Sequence, residues 1–122
     1  VSIYHPLAAK ERLAVEDLHG ENFLLIRRGW NHCLDQMRDE LWRDHPQIHI
    51  VDFEMFNINV FNQCENSEDI LMTIDSWRQV HPLLKPLPVS WSYTIPYGLL
   101  HSPHPSPTVR RFLNAVKAVY AQ

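Results

Sequence analysis

The sequence predicts an α/β domain, a three-layer arrangement of a mainly parallel sheet with helices on both faces. Three observations carry this. Short apolar runs of strand length recur at Phe23 to Arg27, Ile48 to Phe53 and Ile70 to Ile74. Stretches with the three-and-four spacing of a helix separate or follow them, most clearly after Gly29 and after Pro107. Gly20, Gly29 and a set of prolines punctuate the joins between strand and helix.

Taken in order, Ile3 to Tyr4 reads as the tail of a strand, and Glu16-Asp17-Leu18 as a one-turn element before a tight turn at Gly20. Phe23 to Arg27 has the length and apolar content of a central strand, ended by Gly29. Trp30, Leu34, Met37, Leu41 and His45 then mark one face of a helix running from an Asn31 cap to the His45-Pro46 break. Asp35, Arg38, Asp39, Arg43 and Asp44 fall on its wet faces. Ile48 to Phe53 is the second strand. Asn57 to Cys64 is a short helix with Ile58, Phe61 and Cys64 inward. Ile70 to Ile74 is a short buried strand, and Asp75 or Ser76 caps a brief helix with Trp77 and Val80. Val89, Trp91, Tyr93 and Ile95 alternate with Ser90, Ser92 and Thr94, the clearest strand period in the chain. Tyr97 to His101 reads as one more strand. A Pro-rich link follows, and Ser106 caps a last helix with Pro107 at its first position. Val109, Phe112, Leu113, Val116 and Tyr120 form its apolar face.

Composition narrows the function. The chain has 122 residues, enough for one domain, with ordinary apolar and charged fractions. A net charge of −3 argues against a nucleic-acid surface, which needs clustered Lys and Arg. No apolar run approaches the roughly 20 residues that cross a bilayer. The opening Val1-Ser2-Ile3-Tyr4 lacks the basic start and apolar region of a signal peptide. Cys33 and Cys64 form no C-x-x-C pair and read as small buried apolar residues, which suits a reducing, cytoplasmic setting. The chain also begins without Met, so it reads as the back part of something larger.

His5-Pro6-Leu7-Ala8 leads into Asp17-Leu18-x-Gly20-Glu21-x-Phe23, then the strand, Gly29 and helix, then Pro46 before a strand. Near the end stand Ile95-Pro96-Tyr97-Gly98-Leu99 and Ser106-Pro107-x-Val109-Arg110-x-Phe112-Leu113. In that order and spacing the chain resembles the effector-binding region of LysR-type bacterial transcriptional regulators, over essentially its whole length. The resemblance implies a subdomain like those of periplasmic binding proteins. Residues 1–122 would be one effector-binding subdomain fragment, mainly the second, with 97–122 returning toward a first subdomain. It also implies a small-molecule effector in the cleft between subdomains, no enzymatic activity and no cofactor. DNA would be contacted only through a separate N-terminal domain. One departure stands out: the family's Gly-containing turn before the third strand is replaced by Cys64-Glu65-Asn66-Ser67-Glu68-Asp69-Ile70, where Asn66 could take the left-handed turn conformation.

Ligands of open α/β sheets bind beyond the carboxyl ends of the strands. The first end is Arg27-Arg28-Gly29-Trp30-Asn31, two guanidiniums before a helix start, which suits an organic acid, with Trp30 over its apolar part. The same arginines read equally as solvated strand-end charges, and Trp30 as core. Asn57 and Asn59 at the second end could bind ligand, or Asn57 could merely cap. Thr73, before Asp75, could line the cleft, and Tyr97 could touch ligand as a hinge residue. Glu54 and Asp75 would oppose an anion facing the same pocket. His101-x-x-His104 and His45/His49 lack zinc spacing, and neither a G-x-S-x-G nor a glycine-rich phosphate loop is present. The family pairs through subdomain helices, and the Asn31–His45 helix carries more apolar surface than one sheet face needs. Leu34, Met37, Leu41 and Trp42 are therefore expected at a homo-oligomer interface, centred on Trp42. Two other classes compete: a periplasmic solute-binding protein, and a pure interaction module whose strand ends are filled by Trp30 and Phe56.

Overall fold

The computed structural model describes residues 1–120. Its centre is a three-stranded sheet of β1 (Asn22–Ile26), β2 (His49–Phe53) and β3 (Ile70–Leu71), in the order β2-β1-β3 with all strands parallel. Asn22 stands opposite His49 and Ile26 opposite Phe53, and Phe23 and Leu24 pair with Ile70 and Leu71. The four residues Phe23 to Ile26 are all buried, as a central parallel strand requires when both of its faces are covered.

Two helices supply the covers. On one face Phe23 and Leu25 pack with Met37 and Leu41 of α1 (His32–Asp44). On the other, Leu24 packs with Val60, Phe61 and Cys64 of α2 (Ile58–Glu65). The alternation along β1 therefore sorts its side chains between two cores. This is the α/β, three-layer arrangement that the pattern of runs predicts.

Both helices start where the sequence places a cap. The Asn31 side-chain oxygen accepts from the N–H groups of Cys33 and Leu34 at 2.8 and 3.3 Å. The Asn57 oxygen accepts from those of Asn59 and Val60 at 2.9 and 3.2 Å. Gly20 and Gly29 take positive φ of 84° and 92°, so both turns use a conformation that favours glycine.

The entry motif has a physical reason. His5 is buried, and its Nδ1 accepts from the Leu7 N–H at 3.1 Å, capping the 3-10 turn Pro6–Ala9. Its Nε2 therefore carries the proton and donates to the Glu68 carbonyl at 3.0 Å. One ring ties the entering chain to the loop before β3, and Leu7 packs on the α1-side core. Further along the same edge, His19 and His45 share a hydrogen bond of 3.0 Å that joins the turn before Gly20 to the end of α1.

Several expected elements take another form. Arg38, expected on a wet face, is buried: it donates to the Asp52 carboxylate at 2.6 Å and to the Ile26 carbonyl at 2.7 Å. Its long stem spans α1 to the end of the sheet, and those two acceptors replace water at Nη1 and Nη2, while Nε is buried without a partner. Ile58, expected inward, is 60% exposed, and Val60 takes its place. The two lie about 200° apart around a helix of 3.6 residues per turn, so only one can face β1. The β3 strand stops at Leu71, although the Met72 N–H still donates to the Leu24 carbonyl at 3.0 Å. Asp75 opens a 3-10 turn, Asp75–Trp77, and the flanking cap is Ile74. Ile3–Tyr4 is not a strand; Ser2 makes one antiparallel bridge with Leu84.

The segment 89–95 keeps its expected alternation of burial, odd positions half-buried and even ones exposed. It forms no ladder, only a single parallel bridge between Leu13 and Val89. Periodicity reported which side chains face the core, and the core contact is met by Trp91 and Tyr93 packing without strand pairing. Tyr97 to His101, expected as a strand, is exposed and irregular. Asn66 closes its turn at φ −90° rather than left-handed, helped by its side-chain amide donating to the Asn62 carbonyl. The last helix, α3 (Pro107–Tyr120), starts as expected, with the Ser106 hydroxyl accepting from the Val109 N–H at 3.3 Å. None of its residues is buried.

Candidate functional site

The carboxyl ends of β1 and β2 carry the arginines that the sequence singles out, and every one is engaged. Arg27 Nε meets a Glu54 carboxylate oxygen at 2.6 Å. Arg28 pairs with Asp39 of α1, which holds the Asp39 carboxyl below the usual range and the Arg28 guanidinium above its own. The Gly29 N–H donates to both oxygens of Asp35, at 3.1 and 3.3 Å. Arg38 adds a third guanidinium, on Asp52. Three cations thus face four carboxylates, Asn31 takes the Cys33 and Leu34 N–H groups at the start of α1, and Asp35 takes that of Gly29 before it. Each guanidinium that an organic acid would use here is already paired with a carboxylate of the chain.

The remaining predicted residues fall apart in space. Trp30 is exposed at the head of α1 and is not core. Asn57 is a cap, Asn59 is exposed, and Tyr97 stands out on the irregular segment after Pro96. Phe56 packs edge-on against Phe53 and Trp77, with ring centroids 4.8 and 4.6 Å away. The end of β2 is therefore filled by an aromatic cluster, as the interaction-module reading asked of Phe56 but not of Trp30. Of the four residues expected at an interface, Met37 and Leu41 are 1% exposed and belong to the chain's own core, and Leu34 is half-buried against it. Trp42 alone is open, at 74%.

Thr73 is placed differently. It follows β3, and its hydroxyl is buried without a hydrogen-bond partner, a condition rare among buried polar groups. It lines an open groove of about 570 Å³ between the β3 segment and the extended stretch 86–93. Leu13, Phe23, Met72, Trp91 and Tyr93 are part of the groove's apolar lining, Glu11, Asp75 and Arg78 are its charged side chains, and Val1 with its amino group also borders it. Asp75 and Arg78 are paired with each other. Burial, and next the Glu40 carboxylate, raise the Tyr93 phenol above its ordinary pKa. Sequence reasoning missed Trp91 and Tyr93 as site residues because their alternation reads as a strand. The signal was the pair of aromatics within that alternation.

Cys33 and Cys64 are free thiols, and burial pushes the Cys64 thiol up, away from reactive thiolate. Among the described residues, no three of His, Cys, Asp and Glu are grouped to hold a metal ion, and no helix is long and apolar enough to cross a membrane. Comparison with protein-family models, with curated proteins and with solved structures finds no match to the chain.

Proposed function

We propose that the chain is the effector-sensing part of a LysR-type bacterial transcriptional regulator, working in the cytoplasm. A small molecule binds between this periplasmic-binding-protein-like subdomain and a companion one. Binding shifts how protomers pack, with the open Trp42 surface of α1 among the contacts, and so alters how a separate DNA-binding domain sits on its operator.

The observation that supports the reading best is the uncovered arm. Tyr97, Leu99 and Leu100 are exposed, and α3 turns Val109, Phe112 and Tyr120 outward with no buried residue. A helix with one apolar stripe is stable in water when that stripe is covered. A companion subdomain that receives residues 97–120 supplies the cover, and the order of motifs from His5-Pro6-Leu7-Ala8 to Phe112-Leu113 fits the same architecture.

The test is DNA binding by the intact protein. Footprinting on the DNA upstream of its own gene should show a protected site at nanomolar protein, with the protection pattern changed by a molecule that also raises Tm by mass action. An exported precursor with a cleaved signal peptide and no DNA affinity overturns the reading in favour of a solute-binding protein for transport.

A further inference from the structure

Residues 97–122 differ from the rest of the chain in charge as well as in cover. Their only Lys, Arg, Asp or Glu residues are Arg110, Arg111 and Lys117, a net charge of +3. The whole chain carries −3, so residues 1–96 carry −6. Within 1–96, Lys10, Arg27, Arg28, Arg38, Arg43 and Arg78 each meet a carboxylate. In α3 the three cations meet none among the described residues. They stand exposed on the same helix as the open Val109, Phe112 and Tyr120. A basic helix with an apolar stripe suits an apolar surface edged by carboxylates. Its own body is not that surface. The link before α3 holds Pro96, Pro103 and Pro105 and no regular element. Such a spacer is extended and semi-rigid, and it leaves no residue of α3 buried. An anionic membrane or a nucleic acid would attract α3 but repel a body of −6. The body of a second copy offers this arm the opposite charge.

One part of the body has the matching chemistry. Ile3, Tyr4 and Leu83 are exposed, and the Ile3 N–H donates to the Leu83 carbonyl at 3.0 Å. His5, next to Tyr4, donates to the Glu68 carbonyl at 3.0 Å and so sets the loop after α2 beside them. Glu65 and Glu68 on that loop meet no Lys or Arg among the described residues. The Val1 amino group and Lys85, at the same entry segment, are spent on backbone carbonyls, of Lys85 and of Ala8 and Lys10. Around Trp42, by contrast, Asp39 and Asp44 are already paired with Arg28 and Arg43. We propose that two copies of the chain exchange arms, each α3 lying on the other's Ile3, Tyr4 and Leu83 with Arg110 and Arg111 against the Glu65 and Glu68 edge. Reciprocal exchange of one element gives a closed twofold pair. One helical stripe per copy is a small interface, so the Kd is on the order of 10 μM or weaker, and in dilute solution the arm stands open. The exchange goes beyond the regulator reading, in which a companion subdomain takes the same stripe.

Sedimentation velocity of the chain, from low micromolar to several hundred micromolar, should show a monomer–dimer equilibrium. Its Kd should rise about tenfold from dilute to concentrated salt. Arg110→Glu with Arg111→Glu should raise Kd about tenfold, and so should Glu65→Lys with Glu68→Lys. The four together restore opposite charges across the contact and should bring Kd back to within about threefold of wild type. Phe112→Ala should weaken the dimer, and Trp42→Ala should leave it unchanged. Circular dichroism checks that each variant folds, and where one does not, the salt dependence and the other pair still decide. A monomer at every concentration overturns the proposal. So does a Kd that either reversal pair leaves unchanged, a fourfold variant no tighter than either pair, or a dimer that Trp42→Ala dissolves. Uptake of the chain by phosphatidylserine vesicles, lost with Arg110→Glu and Arg111→Glu, would give α3 to a membrane surface instead and also overturns it. No DNA enters this experiment, so the exchange and the regulator reading fail separately.

Discussion

The helices α1 and α3 are built alike and placed unlike. Each is 13 or 14 residues long, and each starts with a side-chain cap, Asn31 or Ser106. Each carries apolar residues at spacings of three and four. In α1 that stripe meets Phe23 and Leu25, and Met37 and Leu41 are 1% exposed. In α3 most of it meets solvent: Val109, Phe112 and Tyr120 are exposed, Phe112 at 59%, while Leu113 and Val116 are half-buried. The difference teaches that the pattern specifies a face, while stability comes from what covers it. The body, residues 1–95, is a closed core on both sides of β1. The arm beyond it is formed locally, and Val109, Phe112 and Tyr120 lie open on it.

The largest expected effect tests that contrast directly. Phe23→Ala removes a ring from the α1-side core, between Leu25 and Trp91, and should cost about 3–5 kcal/mol of unfolding free energy. Phe112→Ala should change it by no more than about 0.5 kcal/mol. Urea denaturation followed by tryptophan fluorescence measures both. Comparable losses for the two would mean that the arm is packed in solution and would break the comparison.

Caps give a smaller and more discriminating pair. Asn31→Ala leaves the Cys33 and Leu34 N–H groups without their acceptor in a helix that is part of the core, so it should lower global stability by about 1 kcal/mol. Ser106→Ala removes the same kind of bond from an exposed helix. It should reduce helical circular dichroism at low denaturant while leaving the urea midpoint of the body in place. A shared midpoint shift would show body and arm to be one cooperative unit.

The same contrast explains how much of the molecule was legible beforehand. Strand and helix order in the body, both Asn caps, the Gly20 and Gly29 turns and the Ser106 start all follow from local chemistry that a sequence displays. Arg38 was misplaced because periodicity weighs only hydrophobicity. A guanidinium is buried when two acceptors wait at the right reach, and Asp52 and the Ile26 carbonyl are brought there by strand pairing far along the chain. Residues 89–95 show the converse. Their period of two was real in burial, but a ladder needs a neighbouring strand in register, which no local pattern reveals. At the candidate site, the position of Thr73 after the third apolar run was legible. The engagement of Arg27 and Arg28 was not, since Glu54 and Asp39 reach them only once β2 and α1 are folded against β1.

The smallest expected effect is that of acid. The lowered carboxylates all lie in the body: Asp17 beside Lys10, Asp39 beside Arg28, Glu40 beside Gln36 and Tyr93, and Asp44 beside Arg43. Residues 97–120 contain no Asp or Glu. A carboxyl whose folded pKa lies below its unfolded value stabilises the fold fully above the unfolded value, about 3.9 for Asp. That contribution fades as pH falls through the folded pKa. The body should therefore lose stability below about pH 4 relative to pH 5 and above, while the helix content of the arm should show no matching carboxylate-driven step. Asp39 and Asp44 are exposed and Asp17 and Glu40 half-buried, so solvent screening keeps the effect slight, and salt should reduce it further. Asp39→Asn isolates one contributor. Its stability difference from wild type, measured by urea denaturation, should be present at pH 6 and should shrink as pH falls below about 4. A difference that stays constant across that range would mean that the Arg28–Asp39 contact adds nothing electrostatic to the body, and that the arginines at the strand ends are freer for a ligand than their pairing shows.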